Sequence, residues 1–201
     1  MARKYSSDFW ELDALYLDSA RYDELSKCIS LVEHEIESFD DRNDTEHSSN
    51  FGTLIQTSFL MAVVAEMEHQ LKKICDVVAE KRNWLIRTTD MRGTNGFDSC
   101  ITYLKKVLQV PLPESNLKVI RAVVQVRNAC VHHGGYLDEI PCDLGDAARH
   151  LGKSPDGQIE VTGPFVQDVC GHCQSFIDAT VNAVGAQYAQ LQKLTKSRSR
   201  R

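Results

Sequence analysis

From Thr53 to Ile86 the chain runs without a single Gly or Pro, and within that run Leu60, Val64, Met67, Leu71, Ile74 and Val78 recur at steps of four and three. Such spacing puts side chains on one face only in an α-helix. The run therefore predicts a helix roughly 50 Å long at 1.5 Å per residue. A stripe of that length must be covered, and the sequence supplies further helices to cover it. Leu25, Ile29, Val32, Ile36 and Phe39 repeat the spacing earlier in the chain, and Cys170, Cys173, Ile177, Val181, Val184, Tyr188 and Leu191 repeat it later. The expected fold is all-α: an antiparallel helical bundle of about five helices, with a polar loop after helix 1 and an irregular or small β insertion before the last helix.

Local signals set the expected boundaries. Asp8 and Glu11 have the spacing of a capping box, which opens the first helix there. Asp40 to Asn50 is almost wholly polar and reads as a loop. After the long helix, Arg92-Gly93-Thr94-Asn95-Gly96 marks a break, and a short helix follows from Phe97 to Val110, stopped by Pro111 and Pro113. A fourth helix spans Glu114 to His133 and closes on Gly134-Gly135, because glycine takes the left-handed conformation of a helix C-cap without steric cost. Tyr136 to Gly163 is irregular, with a turn at Ser154-Pro155-Asp156-Gly157 and a short strand over Gln158 to Thr162. The last helix begins near Pro164. Residues 1–195 are read as one domain and 196–201 as a basic disordered tail.

Composition narrows the function classes. The longest apolar run, Phe59 to Ala65, falls far short of a membrane span, and Met1 to Phe9 has no apolar stretch of the signal-peptide kind. Seven cysteines, an odd number, lie scattered through apolar segments, a usage that fits a reducing cytoplasm better than a disulfide framework. The net charge of -5 argues against nucleic acid at first sight, but it is unevenly placed. Residues 1–50 hold thirteen acids against five bases, whereas Phe97 to Gly134 holds five bases against two acids.

The fourth helix departs from the amphipathic pattern of the others. From Leu117 to Val131 it is apolar nearly all round, which requires burial on several sides. Arg127, Asn128, His132 and His133 then crowd its last turns. A fixed cation is rarely buried without a partner, so Arg127 needs a reason to be there. At 3.6 residues per turn Asn128 and His132 share a face, with Arg127 beside them. A permanent cation, an imidazole and an orienting amide are suitable parts for phosphoryl chemistry, in which His moves protons and Arg neutralises charge on oxygen. A purely structural role fits the same residues: His132 as a helix cap that offsets the dipole, Arg127 as the partner of an acid on another helix.

The stretch Val126-Arg127-Asn128-Ala129-Cys130-Val131-His132-His133-Gly134-Gly135 resembles the R-N-x-x-x-H signature of the HEPN superfamily, which that family carries at the end of its penultimate core helix. The resemblance is tight over about ten residues and loose over most of the chain. It implies a metal-independent endoribonuclease without cofactor, often a toxin or anti-phage defence component, acting as a homodimer and in some cases held by an antitoxin partner. It further implies that Arg127 holds the scissile phosphate, His132 transfers protons and Asn128 supports the geometry; His133 is a candidate second phosphate contact, and Lys118 and Arg121 of the locally basic stretch are candidate RNA contacts. The ribose 2'-hydroxyl is then the nucleophile and the product a 2',3'-cyclic phosphate. A catalytically silent helical module of the same fold, serving dimerisation or RNA binding, is the alternative. One toxin branch has a Tyr two residues after the His, where this chain has Gly134, with Tyr136 two further on.

Two other features compete. Some members use an acid from the second helix, and Glu66 is the candidate by position, although a solvated charge beside the Val64 to Met67 stripe explains it as well. Cys170-Gly171-His172-Cys173 is spelled like a dithiol oxidoreductase site, and Cys142, His132 or His150 could add ligands for zinc. Both cysteines fall on the apolar stripe of the last helix, so core packing is the expectation for them.

Overall fold

The computed structural model describes residues 20–40, 46–81, 84–91 and 96–198. These residues are mostly helical. The α-helices among them are α1 (Ala20–Asp40), α2 (Glu46–Lys81), α3 (Gly96–Thr102), α4 (Glu114–His132) and α5 (Gly163–Arg198). A 3-10 stretch, Cys142–His150, and a small antiparallel sheet of β1 (Leu151–Lys153) and β2 (Ile159–Val161) separate α4 from α5. The all-α expectation with a small β insertion before the last helix matches this order. The proposed Asp8 capping box lies outside the described residues, as do the break residues 92–95.

Several boundaries differ from the sequence reading. Helix α2 starts at Glu46, so half of the expected polar loop is helical and the helix passes through Gly52. A polar run without Pro carries only small propensity penalties, which the long continuation of the helix outweighs. Its end comes earlier than Ile86, at Lys81, and Leu85 and Ile86 are exposed. The helix expected over 97–110 stops short as well. After Thr102 it widens into a π-helical turn, Tyr103–Val107, where the amide of Leu108 donates to the Tyr103 carbonyl at 3.0 Å and that of Val110 to Leu104 at 2.9 Å. Gln109 at φ 54° then ends the helical path, before either proline acts. At the other end of the chain, α5 is helical through Arg198, so Lys196, Ser197 and Arg198 belong to a helix instead of a tail.

The contacts group into two compact units. One consists of Ser19–Met67 and Glu114–Ser175; the other includes Glu68–Pro113 and Phe176–Arg201. Apolar residues fill each. In the first, Tyr22, Ile29, Leu60, Val64 and Met67 are buried, as are Leu117, Ile120, Val123 and Val126 of α4 and Phe165, Val166 and Val169 of α5. In the second, Leu71, Ile74, Phe97, Leu104, Phe176 and Val181 are buried, and the Tyr103 hydroxyl donates to the Ile86 carbonyl at 3.1 Å. The α2 stripe read from spacing is thus core along its whole length, from Leu60 to Val78.

The start of α5 is built from three segments of the first unit. Thr162 is its N-cap: the Phe165 amide donates to Thr162 Oγ1 at 3.4 Å, and that hydroxyl donates in turn to the His150 carbonyl at 2.6 Å. No acid lies in the first turn of α5 itself. Glu33 of α1 supplies one instead, its carboxylate lying where a Cβ on Gly163 would be. The Gln167 side-chain amide donates to Glu33 Oε2 at 3.1 Å and to Ser30 Oγ at 2.9 Å, completing the contact. A negative group at a helix N-terminus offsets the partial positive charge of the unpaired amides, so α1 is held to α5 by electrostatics as well as packing.

Candidate functional site

The residues singled out by the motif all lie on α4 within the first unit. How that helix ends decides where they point. The amides of His133 and Gly135 both donate to the Ala129 carbonyl, at 3.0 and 2.9 Å, and the Tyr136 amide donates to His133 at 3.0 Å. Closing the chain back in this way requires left-handed backbone, which Gly134 (φ 60°) and Gly135 (φ 82°) provide. The expected glycine C-cap is present.

The β hairpin then braces the cap. Leu151 pairs with Val161 and Lys153 with Ile159, and the reversal uses the Ser154 to Gly157 turn read from the sequence, in which the Gly157 amide donates to the Ser154 carbonyl at 2.9 Å. From β2 the Ile159 amide donates to the Gly135 carbonyl at 2.8 Å. Tyr136 forms a bridge with Gln158, whose side-chain amide also donates to the Tyr136 hydroxyl at 3.3 Å. The 3-10 stretch Cys142–His150 packs against α4 as well. Sequence reasoning expects an irregular or small β insertion here with a short strand over Gln158 to Thr162, where β2 lies, but does not place β1; the segment fixes the end of α4.

The polar side chains of α4 divide between two directions. At about 100° per residue, positions 114, 118, 121, 125, 128 and 132 fall within an arc of about 80°. Glu114, Lys118, Arg121, Gln125 and His132 are exposed and Asn128 is half-buried. Between Leu117 and Cys130 the exposed residues are Lys118, Arg121 and Gln125 alone; everything else in that stretch is wholly or partly buried. Asn128 and His132 share one face as expected, and the helical stretch puts Lys118 and Arg121 on that face as well. Arg127 lies about 140° around the helix from His132. The residue is half-buried, its Nε is withdrawn from solvent, and it has interactions within the fold. His133 is exposed on a third direction, at the turn out of the helix.

The competing sites fare differently. Glu66 is half-buried on α2 and has interactions of its own. Cys170 and Cys173 are buried at 3% and 0% exposure, and removal from water pushes the Cys170 thiol up to about 12 and that of Cys173 upward as well. A dithiol redox centre needs the opposite, a depressed and accessible thiolate. These two cysteines are core residues. Among the described residues no group of three or more His, Cys, Asp or Glu is placed to hold a metal ion, so Cys142, His132 and His150 do not complete a zinc set with Cys170 and Cys173. His150 instead accepts from Arg149 Nε at 3.0 Å and lies 3.7 Å from Asp168.

Among the described residues no helix is long and apolar enough to cross a membrane. Glu114 and Gln125 are the members of this α4 face that the sequence reading did not assign to the site. Their signal was legible, since they complete the four-three spacing of the polar positions. Set against family models, curated proteins and solved structures, the chain has no match, and its function must be argued from these residues.

Proposed function

We propose that this chain is a metal-independent endoribonuclease of the HEPN type, cytoplasmic, folded as an antiparallel helical bundle and active as a homodimer. The observation that carries the reading is the end of α4: His132 exposed, Asn128 on its face, Arg127 five residues back and about 140° around the helix, and the backbone beyond them held by Gly134, Gly135 and the hairpin. In the proposed reaction the ribose 2'-oxygen attacks the adjacent phosphorus and its proton passes to His132. Arg127 neutralises the charge that gathers on the non-bridging oxygens. The bond to the 5'-oxygen breaks, that oxygen takes up the proton His132 received, and the products are a 2',3'-cyclic phosphate and a free 5'-hydroxyl. Proton transfer of this kind contributes about 10²–10⁴-fold and oxyanion stabilisation about 10²–10³-fold. A cellular role as a toxin or anti-phage component, with a neutralising protein partner, follows from the same reading.

One observation favours the second reading, a silent RNA-binding or dimerisation module. Arg127 is half-buried and already engaged by the fold, as a structural ion-pair residue would be. Purified protein with single-stranded RNA in excess chelator separates the two. Cleavage is expected, leaving a cyclic phosphate, and His132→Ala or Arg127→Ala should each lower it at least ~100-fold with the helical circular-dichroism spectrum intact. Undiminished turnover in either variant would assign the chemistry elsewhere, and no cleavage by the wild type would favour the silent module.

A further inference from the structure

Helix α4 has a single exposed face between Leu117 and Cys130, and every residue on it is polar: Lys118, Arg121 and Gln125. The face begins at exposed Glu114, one turn before Lys118, and continues through half-buried Asn128 to exposed His132. From Lys118 to His132 it runs straight for about 21 Å, at 1.5 Å per residue. Between Leu117 and Cys130 the rest of the helix is wholly or partly buried, most of it by apolar side chains. Val123, Val124 and Val126 lie at 6% exposure or less and Ala122 and Ala129 at 4% or less, so a polymer lying along α4 has one available path.

We infer that this face is a track for single-stranded RNA, with the phosphate backbone held by Lys118 and Arg121, passed along by Gln125 and Asn128, and delivered to His132. The inference rests on the proposed nuclease reading for its choice of RNA, and adds the path and the direction. The cations lie toward the start of the helix and the proton-transfer residue at its end, so the contacted nucleotides all flank the cut on one side. Two features favour RNA over an acidic polypeptide. The two cations are followed by two side-chain amides, which donate and accept at once, a mixture suited to sugar hydroxyls and base edges that carboxylates alone would not use. The track also ends on the group the cleavage requires. Arg127 is off this face, so the strand that runs along one helix meets its own chain's His132 without meeting its own chain's Arg127.

The test uses the full chain, a fluorescent 2'-O-methyl RNA that cannot supply the nucleophile, and anisotropy over a salt series. For single strands the slope of log affinity against log salt is about -0.7 per phosphate neutralised. The Lys118→Ala/Arg121→Ala variant should bind more weakly and lose about 1.4 from that slope, and Gln125→Lys should gain about 0.7. Lys27→Ala, which removes an exposed base on α1, should leave both affinity and slope unchanged. An unchanged slope in the double variant, or displacement of RNA by polyglutamate as readily as by unlabelled RNA, would overturn the track. The two proposals fail separately: cleavage with an unaltered slope removes the track and keeps the nuclease, while the predicted slopes without cleavage remove the nuclease and keep the track.

Discussion

Gly163 sits at the first position of α5, and a methyl group there would occupy the place of the Glu33 carboxylate. Gly163→Ala is therefore a perturbation of Glu33 more than of glycine. The carboxylate is the far end of a flexible side chain and will swing away, so the cost is what it leaves behind. A partly buried charge at a helix N-terminus contributes about 0.3–2 kcal/mol. The hydrogen bond from Gln167, 3.1 Å long, adds roughly 0.5–1.5 kcal/mol. Together these put the loss at about 1–2 kcal/mol, set against at most about 1 kcal/mol from the better helix propensity of Ala. Glu33→Ala should cost the same 1–2 kcal/mol. In the double variant, however, no carboxylate remains to displace, so the glycine substitution should become neutral or stabilising. Urea unfolding of the wild type, both single variants and the double variant would measure a coupling of about 1–2 kcal/mol. Additivity within the ~0.5 kcal/mol expected of independent sites would refute the idea that Glu33 caps α5.

The remaining predictions concern thiols and assembly. Under native conditions near pH 8, a thiol reagent should modify the exposed Cys28 and Cys142 and spare buried Cys75, Cys100, Cys170 and Cys173, all four of which should react once the chain is unfolded. Because burial raises the Cys170 thiol from 9.0 to about 12, the stability it contributes is fully present below pH 9 and is lost as pH rises toward 12; Cys170→Ala should flatten that alkaline fall in unfolding midpoint. Sedimentation and activity measured over a dilution series should show dimers losing specific activity as they dissociate. A monomer of full specific activity would remove the composite site.

What the sequence reveals of this fold is what periodicity encodes. The stripe from Leu60 to Val78 is buried from end to end, and the Gly134-Gly135 cap and the Ser154 to Gly157 turn lie where their residues place them. Each depends on local geometry alone. The errors have a common cause in tertiary context. Nothing in the residues from Tyr103 to Val107 announces a π-helical turn, and β1 is three residues long, defined by its partner strand more than by its own composition. Glu33 could not be assigned to the start of α5 because the pair is separated by well over a hundred positions. At the candidate site the spacing rule was enough to unite Asn128 with His132, and the same rule carried to Gln125 would have exposed the whole face. Spacing could not tell that Arg127 would be half-buried, because that depends on what packs against α4.

The two directions taken by the polar side chains of α4 have a mechanical consequence. An arginine and a histidine about 140° apart on one helix cannot both reach one phosphate from the same side. Distortion of the helix end could in principle bring them together, but the structure works against it: the Ala129 carbonyl accepts two amides, Gly135 is tied to Ile159, and Tyr136 to Gln158. The end of α4 is held in its regular form. If both residues act on one phosphate, the second must come from another copy, with its helix turned by a two-fold axis so that Arg127 faces the His132 of its neighbour. The exposed Val131 and Tyr136, at 44% and 51%, stand beside that end and are the apolar surface such a contact would cover. On this argument the rigidity of the cap and the need for a partner are one requirement. If Arg127 and His132 act on one phosphate, a helix end that cannot bend makes each chain half of the proposed site.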